Sequence, residues 1–546
     1  GPYYNINPFL IDSIPGLWRR QNGKFQLEAG ITYLARENEQ VSLTNDNKLT
    51  FTKSNVNEKF LALFALGLIL LLSSCYVSMP KSEQIKNLLP PPSLDCSVEA
   101  SMESPFFSQG DWPSENWWEV FNSLQLNSFI AEALDQNPTL KSVQKKIDFA
   151  KQEAIVARAR LYPFISFDGD IVKQYLSETG LYRAFNPKIP LSAKVIDLSI
   201  SLDYEFDFWG ENYNLFSAAI GEVLANQAEA AQVRLIVTTS LAQAYFGLKA
   251  NLLRKQLYET LFQMIQNYFE LQQLLKNKAL SSKLDPLLLG ENVFEVKKLI
   301  SIVDNEILVS NHLINFLLGR GPDEGLDVDS IMPALPATIS VPDNLSLDLL
   351  ARRPDLMAQI WRAKALAYQV GAAKAGFYPN ISIKAFAGFE STLFANFFLW
   401  KNRTYTVNPA FHLPIFTAGS IEANVEAHQS AFDEAIFDYN NLVLSSAQEV
   451  ADLLSLAQSI FEQKLEQDAI VENAKKRYFL TFMRKKSGLD SRFDTYRLEI
   501  ELVNKEIENV ILLYGQYAAT IKLIKALGGG YSSDYCIPLQ AAGECE

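Results

Sequence analysis

The sequence predicts an α+β membrane protein, with long antiparallel α-helices and a β-sheet that other chains must complete. Three observations lead there. Nearly the same phrase is written twice, as ARLYPFISF from Ala159 to Phe167 and as AGFYPNISI from Ala375 to Ile383. Two long stretches, near 213–277 and 421–485, hold a helical apolar period without a proline. One segment, Ile196 to Trp209, alternates strictly between apolar and acidic or hydroxyl residues.

The echo extends beyond nine residues. Asn137-Pro138-Thr139-Leu140 stands as far ahead of Pro163 as Arg353-Pro354-Asp355-Leu356 stands ahead of Pro379, an offset of 216 positions. A second pair of landmarks, Leu318-Gly319-Arg320-Gly321 and Leu527-Gly528-Gly529-Gly530, keeps an offset of 209. An internal two-fold repeat is expected, with copies at 112–321 and 341–530 and a C-terminal tail at 531–546.

Composition bounds what such a unit does. With 546 residues, 48% apolar and 20% charged, and a mean hydropathy of zero, the chain buries a large core. A net charge of −13 without a basic patch excludes phosphate-backbone binding, so no nucleic acid is expected. Cys75, Cys96, Cys536 and Cys545 include no CxxC pair, and His312, His412 and His428 lie far apart, so neither a metal nor another cofactor is expected. Cys536 and Cys545 are either a small loop-closing disulfide or two free thiols. No GxSxG, HExxH or glycine-rich phosphate loop occurs, and no enzyme is expected.

Phe60 to Leu72 reads FLALFALGLILLL behind Lys59 and is followed by Ser73-Ser74-Cys75. This is short for a bilayer span and has the length of a signal-peptide core. Its end resembles a bacterial lipobox, in which small residues admit the peptidase and the cysteine thiol takes the lipid. A short membrane helix with a chance cysteine is the alternative. Residues 56–74 are thus expected to be a lipoprotein signal peptide, with lipidation at Cys75. Tyr76 stands where an aspartate would signal inner-membrane retention, so the motif implies the outer membrane. Residues 1–55 are expected to be an upstream extension absent from the mature protein. From 75 to 111, Pro90-Pro91-Pro92 and scattered serines predict an extended lipid-anchored linker, with order beginning at Trp112.

Helices follow. Leu126, Phe129, Ile130, Ala133 and Leu134, then Leu140, Val143, Ile147, Ala150 and Ala154, keep three-four spacing. Asn137 caps and Pro138 opens the second of these helices, and Arg353-Pro354 punctuates the other copy in the same place. A helix over residues 213–277 would be roughly 100 Å long at 1.5 Å per residue. Each long helix turns back, through 277–285 and 487–494, into another that ends at the glycines near 319 and 528. Alanine-rich stripes predict an extended antiparallel array of coiled-coil type; a rod-like scaffold without a channel is the alternative.

The strands separate these. Leu198, Ile200, Leu202, Tyr204, Phe206 and Phe208 share one face of the alternating segment, and Asp197, Asp203, Glu205 and Asp207 share the other. Strands are expected at about 164–173, 195–209, 380–389 and 404–416, and the LYPFIS and FYPNIS phrases mark where helix gives way to strand in each copy. A sheet in hydrocarbon must close, and small barrels need about eight strands. If these four strands cross a membrane, several chains share one barrel; a soluble two-sided sheet is the other reading of the alternation.

The chain resembles the TolC-like outer-membrane efflux proteins, and specifically their lipoprotein branch. The residues that carry the likeness are Trp117-Trp118 with Phe121, Leu126 with Ala133-Leu134 and Asn137-Pro138, Tyr162-Pro163, Phe208-Trp209-Gly210, Leu350 to Leu356, Phe377-Tyr378-Pro379, Phe416 with Gly419, and Ala526 to Gly530. The resemblance implies a homotrimer in which three chains contribute four strands each to a transmembrane β-barrel, continued by a long antiparallel α-helical barrel across the periplasm. A periplasmic adaptor protein and an RND-type inner-membrane pump would dock on the helical end, and the trimer would be their passive duct across the outer membrane lipid.

Two sites carry over by resemblance. Ser487-Gly488-Leu489-Asp490-Ser491 matches the turn that receives adaptor hairpins, although a glycine C-cap followed by a new N-cap accounts for it locally. Asp494 matches the first carboxylate of the periplasmic aperture; the second falls at Arg497, which departs from the pattern and offers an i,i+3 ion pair instead. Asp197, Asp203, Glu205 and Asp207 are expected to face the barrel lumen and favour cations. Arg352, Arg353 and Pro354 are expected to hold helix ends in place. A type I secretion outlet and a lipid-anchored periplasmic scaffold are the competing functions, and the lipobox with the Arg352 to Leu356 phrase leans toward efflux.

Overall fold

The structure is a computed structural model that describes residues 19–21, 24–26, 88–280, 282, 284–336, 338–342 and 345–532. Residues 56–74, expected to be a signal peptide, and Cys75, Cys536 and Cys545 lie outside the described residues. In chain order the elements are β1 (Arg19–Gln21), β2 (Lys24–Gln26), α1 (Asp95–Met102), β3 (Phe107–Gly110), a 3-10 turn (Trp117–Phe121), α2 (Leu124–Gln136), α3 (Pro138–Ala159), β4 (Phe164–Tyr175), α4 (Leu181–Phe185), β5 (Ser192–Phe206), α5 (Glu211–Asn277) and α6 (Leu284–Leu318). There follow β6 (Ile339–Pro342), α7 (Leu345–Arg352), α8 (Pro354–Ala375), β7 (Asn380–Ser391), 3-10 turns at Phe394–Asn396 and Trp400–Asn402, β8 (Arg403–His412), α9 (Ser420–Lys486) and α10 (Arg492–Ala526). Helices α5 and α9 are each 67 residues long, within two residues at every end of the span that periodicity predicts. Among the described residues no helix is long and apolar enough to cross a membrane.

The chain divides into two compact units. Among the described residues, one takes in 149–223 and 361–437 and carries an antiparallel four-stranded sheet of order β4-β5-β7-β8. Its helices pack closely because they present alanine and glycine. Ala363, Val370, Phe432, Ala435 and Ile436 form one cluster and Ala150, Ala154 and Val223 another. A Cβ at Gly221 would sit 2.9 Å from that of Ala365. Trp209 fixes the strand-to-helix passage: its indole N–H donates to the Pro379 carbonyl at 2.6 Å, and its ring stacks on Tyr378 at 4.9 Å. The repeated Tyr-Pro phrase therefore supplies both a stacking surface and an acceptor.

The other unit takes in the described residues of 89–148, 224–360 and 438–532. Its aromatic centre holds Trp117, Trp118 and Phe121 against Tyr245, Phe246 and Tyr517. The Phe246 and Tyr517 rings stack at 4.4 Å, and the Tyr517 hydroxyl donates to the Pro333 carbonyl. Completely burying a side chain such as Phe121 contributes about 2–3 kcal/mol. Farther along the same helices, Tyr258, Leu261 and Ile265 of α5 meet Val293, Val296 and Val303 of α6 and Val503 and Ile507 of α10.

The segment expected to be an extended linker departs from that reading. Residues 95–102 are helical, and β3 pairs in parallel with β6, Phe107 opposite Ile339 and Gln109 opposite Val341. Order thus begins before Trp112. The reason is burial: Leu94 and Phe107 join Ile339, Val341, Leu345 and Leu349 in a cluster with Val450, Leu454 and Leu523. The partner strand is more than two hundred residues away in sequence, beyond the reach of local periodicity.

Candidate functional site

The sheet separates two chemistries by register. In β5, Leu198, Ile200, Leu202, Tyr204 and Phe206 stand opposite Phe389, Ala387, Ala385, Ile383 and Ile381 of β7. On the same face β4 adds Ile165, Phe167 and Ile171, and β8 adds Tyr405, Val407 and Phe411. Phe167, Ile171, Tyr405, Val407 and Phe411 are all exposed, so the face presents a broad apolar surface that no other described residues cover.

The opposite face is hydroxylic and acidic. Asp197 lies in register with Asp170 on one side and Glu390 on the other, a row of three carboxylates across adjacent strands. Cross-strand like charges destabilise a sheet in isolation. Asp203 pairs with Lys384 at 3.1 Å, and Glu205 accepts from the Asn380 amide at 2.6 Å. Asp207 corrects the sequence reading: it lies past the end of β5 and accepts from the backbone N–H of Asn212 and Tyr213 at 3.0 and 2.8 Å. Its carboxylate caps α5 instead of lining the sheet. Beside it, burial and then repulsion from Glu205 and Asp207 raise the Glu211 carboxyl above the ordinary value. Sequence reading missed Asp170, Lys384 and Glu390, because their strands alternate less strictly and only register brings them into line.

The α9–α10 connection gathers the residues expected to dock an adaptor. Leu489 N–H donates to the Arg484 carbonyl at 3.0 Å and Gly488 N–H to that of Lys485 at 3.0 Å, the paired bonds of a Schellman motif. Gly488 takes φ +75°, a left-handed conformation suited to glycine. The Arg484 guanidinium grips Asp490 through two bonds, 2.7 and 3.0 Å. Ser491 then opens α10 through a capping box, its hydroxyl accepting from Asp494 N–H and the Asp494 carboxylate accepting from Ser491 N–H. The turn is thus held rigidly while Leu489 remains 68% exposed at its tip.

Asp494 in the first turn of α10 and Arg497 in the second, the expected aperture pair, lie 3.9 Å apart. The Ser491 hydroxyl and then its backbone N–H hold the Asp494 carboxyl below the usual aspartate value, so it is charged at neutral pH. Sequence reading missed Arg484, whose partner lies in the turn rather than on its own helix face.

Arg353 is buried where α8 begins. It donates to Asp355 at 3.0 and 2.6 Å, to Glu449 at 2.7 Å and to the Ala526 carbonyl at 3.2 Å. Burial opposes its charge, yet the Asp355 and Glu449 carboxylates raise its pKa further. Arg352 lies over the Trp112 ring at 5.9 Å, and Pro354 is the first residue of α8. Among the described residues no group of His, Cys, Asp and Glu could hold a metal ion.

The architecture has known counterparts. A sequence profile described as outer membrane efflux protein matches residues 129–286 and 345–529, more than half of the chain. The chain is 28% identical over 478 residues to the multidrug resistance outer membrane protein MdtP of Escherichia coli K12, covering 86% of this chain and 96% of that protein. Among solved structures, the VceC outer membrane protein of Vibrio cholerae is 27% identical with a TM-score of 0.67, over 77% of this chain and all of that one. The CmeC outer membrane channel of Campylobacter jejuni shares the fold with a TM-score of 0.73 at 19% identity, over 78% of this chain and 90% of that one. The chain belongs to the outer membrane efflux protein family.

Proposed function

We propose that this outer membrane efflux protein is a passive trimeric duct, lipid-anchored at Cys75, through which a periplasmic adaptor and an RND-type inner-membrane pump expel small molecules. One observation carries the reading: a four-stranded sheet with an apolar and an acidic face, whose outermost strands β4 and β8 have no further partner among the described residues. Such a sheet satisfies its backbone in hydrocarbon only by joining other copies into a closed barrel. Four strands are too few and three copies are enough.

In that barrel the apolar face meets lipid and the acidic face lines the lumen. The row of Asp170, Asp197 and Glu390 becomes a ring of fixed negative charge that favours cations. The two halves of the chain are copies of one unit, each supplying two strands and one pair of long helices to the periplasmic tunnel. The rigid turn at Ser487, Gly488, Leu489, Asp490 and Ser491, with Leu489 outward, suits an adaptor tip. Asp494, charged and near the turn, contributes three carboxylates to the periplasmic aperture, and Arg497 offsets them. The pump supplies the energy. The multidrug name of MdtP supports a small-molecule cargo.

Single-channel recording in planar bilayers, with the mass of the detergent-solubilised protein, tests this. Trimers with discrete cation-selective conductance are expected, and Asp197→Asn with Glu390→Gln is expected to lower the cation preference severalfold. A monomer that never inserts refutes the duct.

A further inference from the structure

The β7–β8 connection, residues 392–402, reads TLFANFFLWKN. It lies at the end of the sheet remote from the long helices, since α3 and α8 lead into β4 and β7 and α5 and α9 follow β5 and β8. The other connection at that end, 176–191, includes α4 and also exposes Leu181 and Phe185, but intersperses them with Glu178, Arg183, Asn186 and Lys188.

The apolar segment is ordered. Two 3-10 turns shape it, Leu399 N–H donates to the Asn396 carbonyl at 3.2 Å and Asn402 N–H to that of Leu399 at 2.8 Å. Phe397 is 4% exposed, whereas Leu393, Phe394, Phe398 and Trp400 are 62, 72, 71 and 73% exposed. A fixed loop that displays five large apolar side chains, Leu399 included, has a partner.

Its direction identifies that partner. Phe397 and Phe398 pack on Phe389 at 6.3 and 6.0 Å, and Phe389 belongs to the apolar face of the sheet. The segment therefore extends the apolar surface instead of turning toward the acidic one. At its end, Arg403 stands on the same face, opposite Phe389, and its guanidinium lies over the Trp400 ring at 4.9 Å. Lys401 adds a second cation. Aromatic rings beside basic side chains at the end of an apolar band match the interface between acyl chains and phosphate headgroups.

We propose that residues 392–402 are an interfacial membrane anchor, seating Phe394, Phe398 and Trp400 at headgroup depth in the outer leaflet and presenting Lys401 and Arg403 to anionic lipid phosphates. The proposal rests on the reading of the sheet as part of a membrane barrel. The segment then pins the rim of the barrel in the bilayer and stays clear of its mouth.

The test uses the full chain reconstituted in vesicles of phosphatidylcholine and phosphatidylglycerol, with a dansyl amino acid placed at 398, at 167 on the apolar face or at 201 on the acidic face. Lipids spin-labelled near the headgroup are expected to quench position 398 at least twofold more than lipids labelled near the chain end. Position 167 should be quenched from within the bilayer and position 201 only by aqueous iodide. Replacing both Lys401 and Arg403 by glutamine should weaken shallow quenching at 398 in anionic vesicles and leave it unchanged in neutral ones. Quenching at 167 from the bilayer, with 398 reached only by iodide or by neither quencher, overturns the anchor and leaves the barrel intact. If bilayer quenchers reach neither 167 nor 398, the barrel reading falls and the anchor with it.

Discussion

The two halves of the chain close the same junctions with different residues. Where α2 meets α3, the Asn137 amide donates to the Leu317 carbonyl at 2.7 Å while its oxygen caps Thr139 at 2.8 Å. Where α7 meets α8, Arg353 occupies the matching place and reaches the Ala526 carbonyl. Gly319 and Gly528 match likewise, with φ +81° and +88°, each pressed against the carbonyl that ends the neighbouring helix, Gln136 or Arg352. The long-helix turns follow suit: Leu280 N–H donates to the Leu275 carbonyl and Ala279 to Lys276, as Leu489 and Gly488 do in the other half. The backbone geometry is common to both halves. What differs is the residue at the corner itself, the neutral Asn137 cap in the first half, with the Arg320–Glu132 ion pair beside it, and the buried, ion-paired Arg353 in the second.

Substitutions at matched positions sharpen this contrast, each read from the unfolding midpoint of the detergent-solubilised protein. The largest effect is expected at the glycines. A Cβ at Gly528 would fall inside the Arg352 carbonyl oxygen, with no flexible side chain to yield, so Gly528→Ala costs about 4–5 kcal/mol or prevents folding. At Gly319 the nearest atom, the Gln136 oxygen, would be 2.9 Å away, and alanine costs about 2 kcal/mol. Equal losses would show that the two junctions are packed alike.

Arg353→Ala comes next. It leaves Asp355, Glu449 and the Ala526 carbonyl without their donor and costs about 3–5 kcal/mol, against about 2 kcal/mol for Asn137→Ala. If the two losses match, the charged network adds nothing to the simple cap. The smallest effect is at the turns and runs in opposite directions. Ala279 holds φ +56° at a cost that glycine avoids, so Ala279→Gly stabilises and Gly488→Ala destabilises, each by about 1 kcal/mol. Amide exchange at Leu280 and Leu489 reports each turn directly.

Much of this was legible in the sequence, and the reason is physical. A 67-residue helix repeats its signal many times, so the ends of α5 and α9 fall within two residues of expectation. The strict alternation of β5 names its two faces without any structure. Its expected span of 195–209 is displaced by three residues, to 192–206, because Phe208 continues the pattern after the backbone has turned to cap α5. The last strand, expected at 404–416, stops at His412, which pairs with Asn380, the first residue of β7, so the partner strand ends there. Pairings across long loops were not legible. β3 with β6, Asp170 with Asp197 and Arg353 with Glu449 are set by register and packing, which local pattern does not encode.

The outer edges of the sheet bear on how the protein is made. Strands β4 and β8 each present a row of backbone donors and acceptors without partners among the described residues, beside a face that water wets poorly. A solitary chain is therefore a template for any extended polypeptide it meets. In the proposed shared barrel, completion of the sheet is governed by mass action: the scarcer the chains, the longer each waits with its edges open. Subunits of such a barrel need either a holding factor that covers those edges or delivery close together, and overexpression trades slow assembly for aggregation.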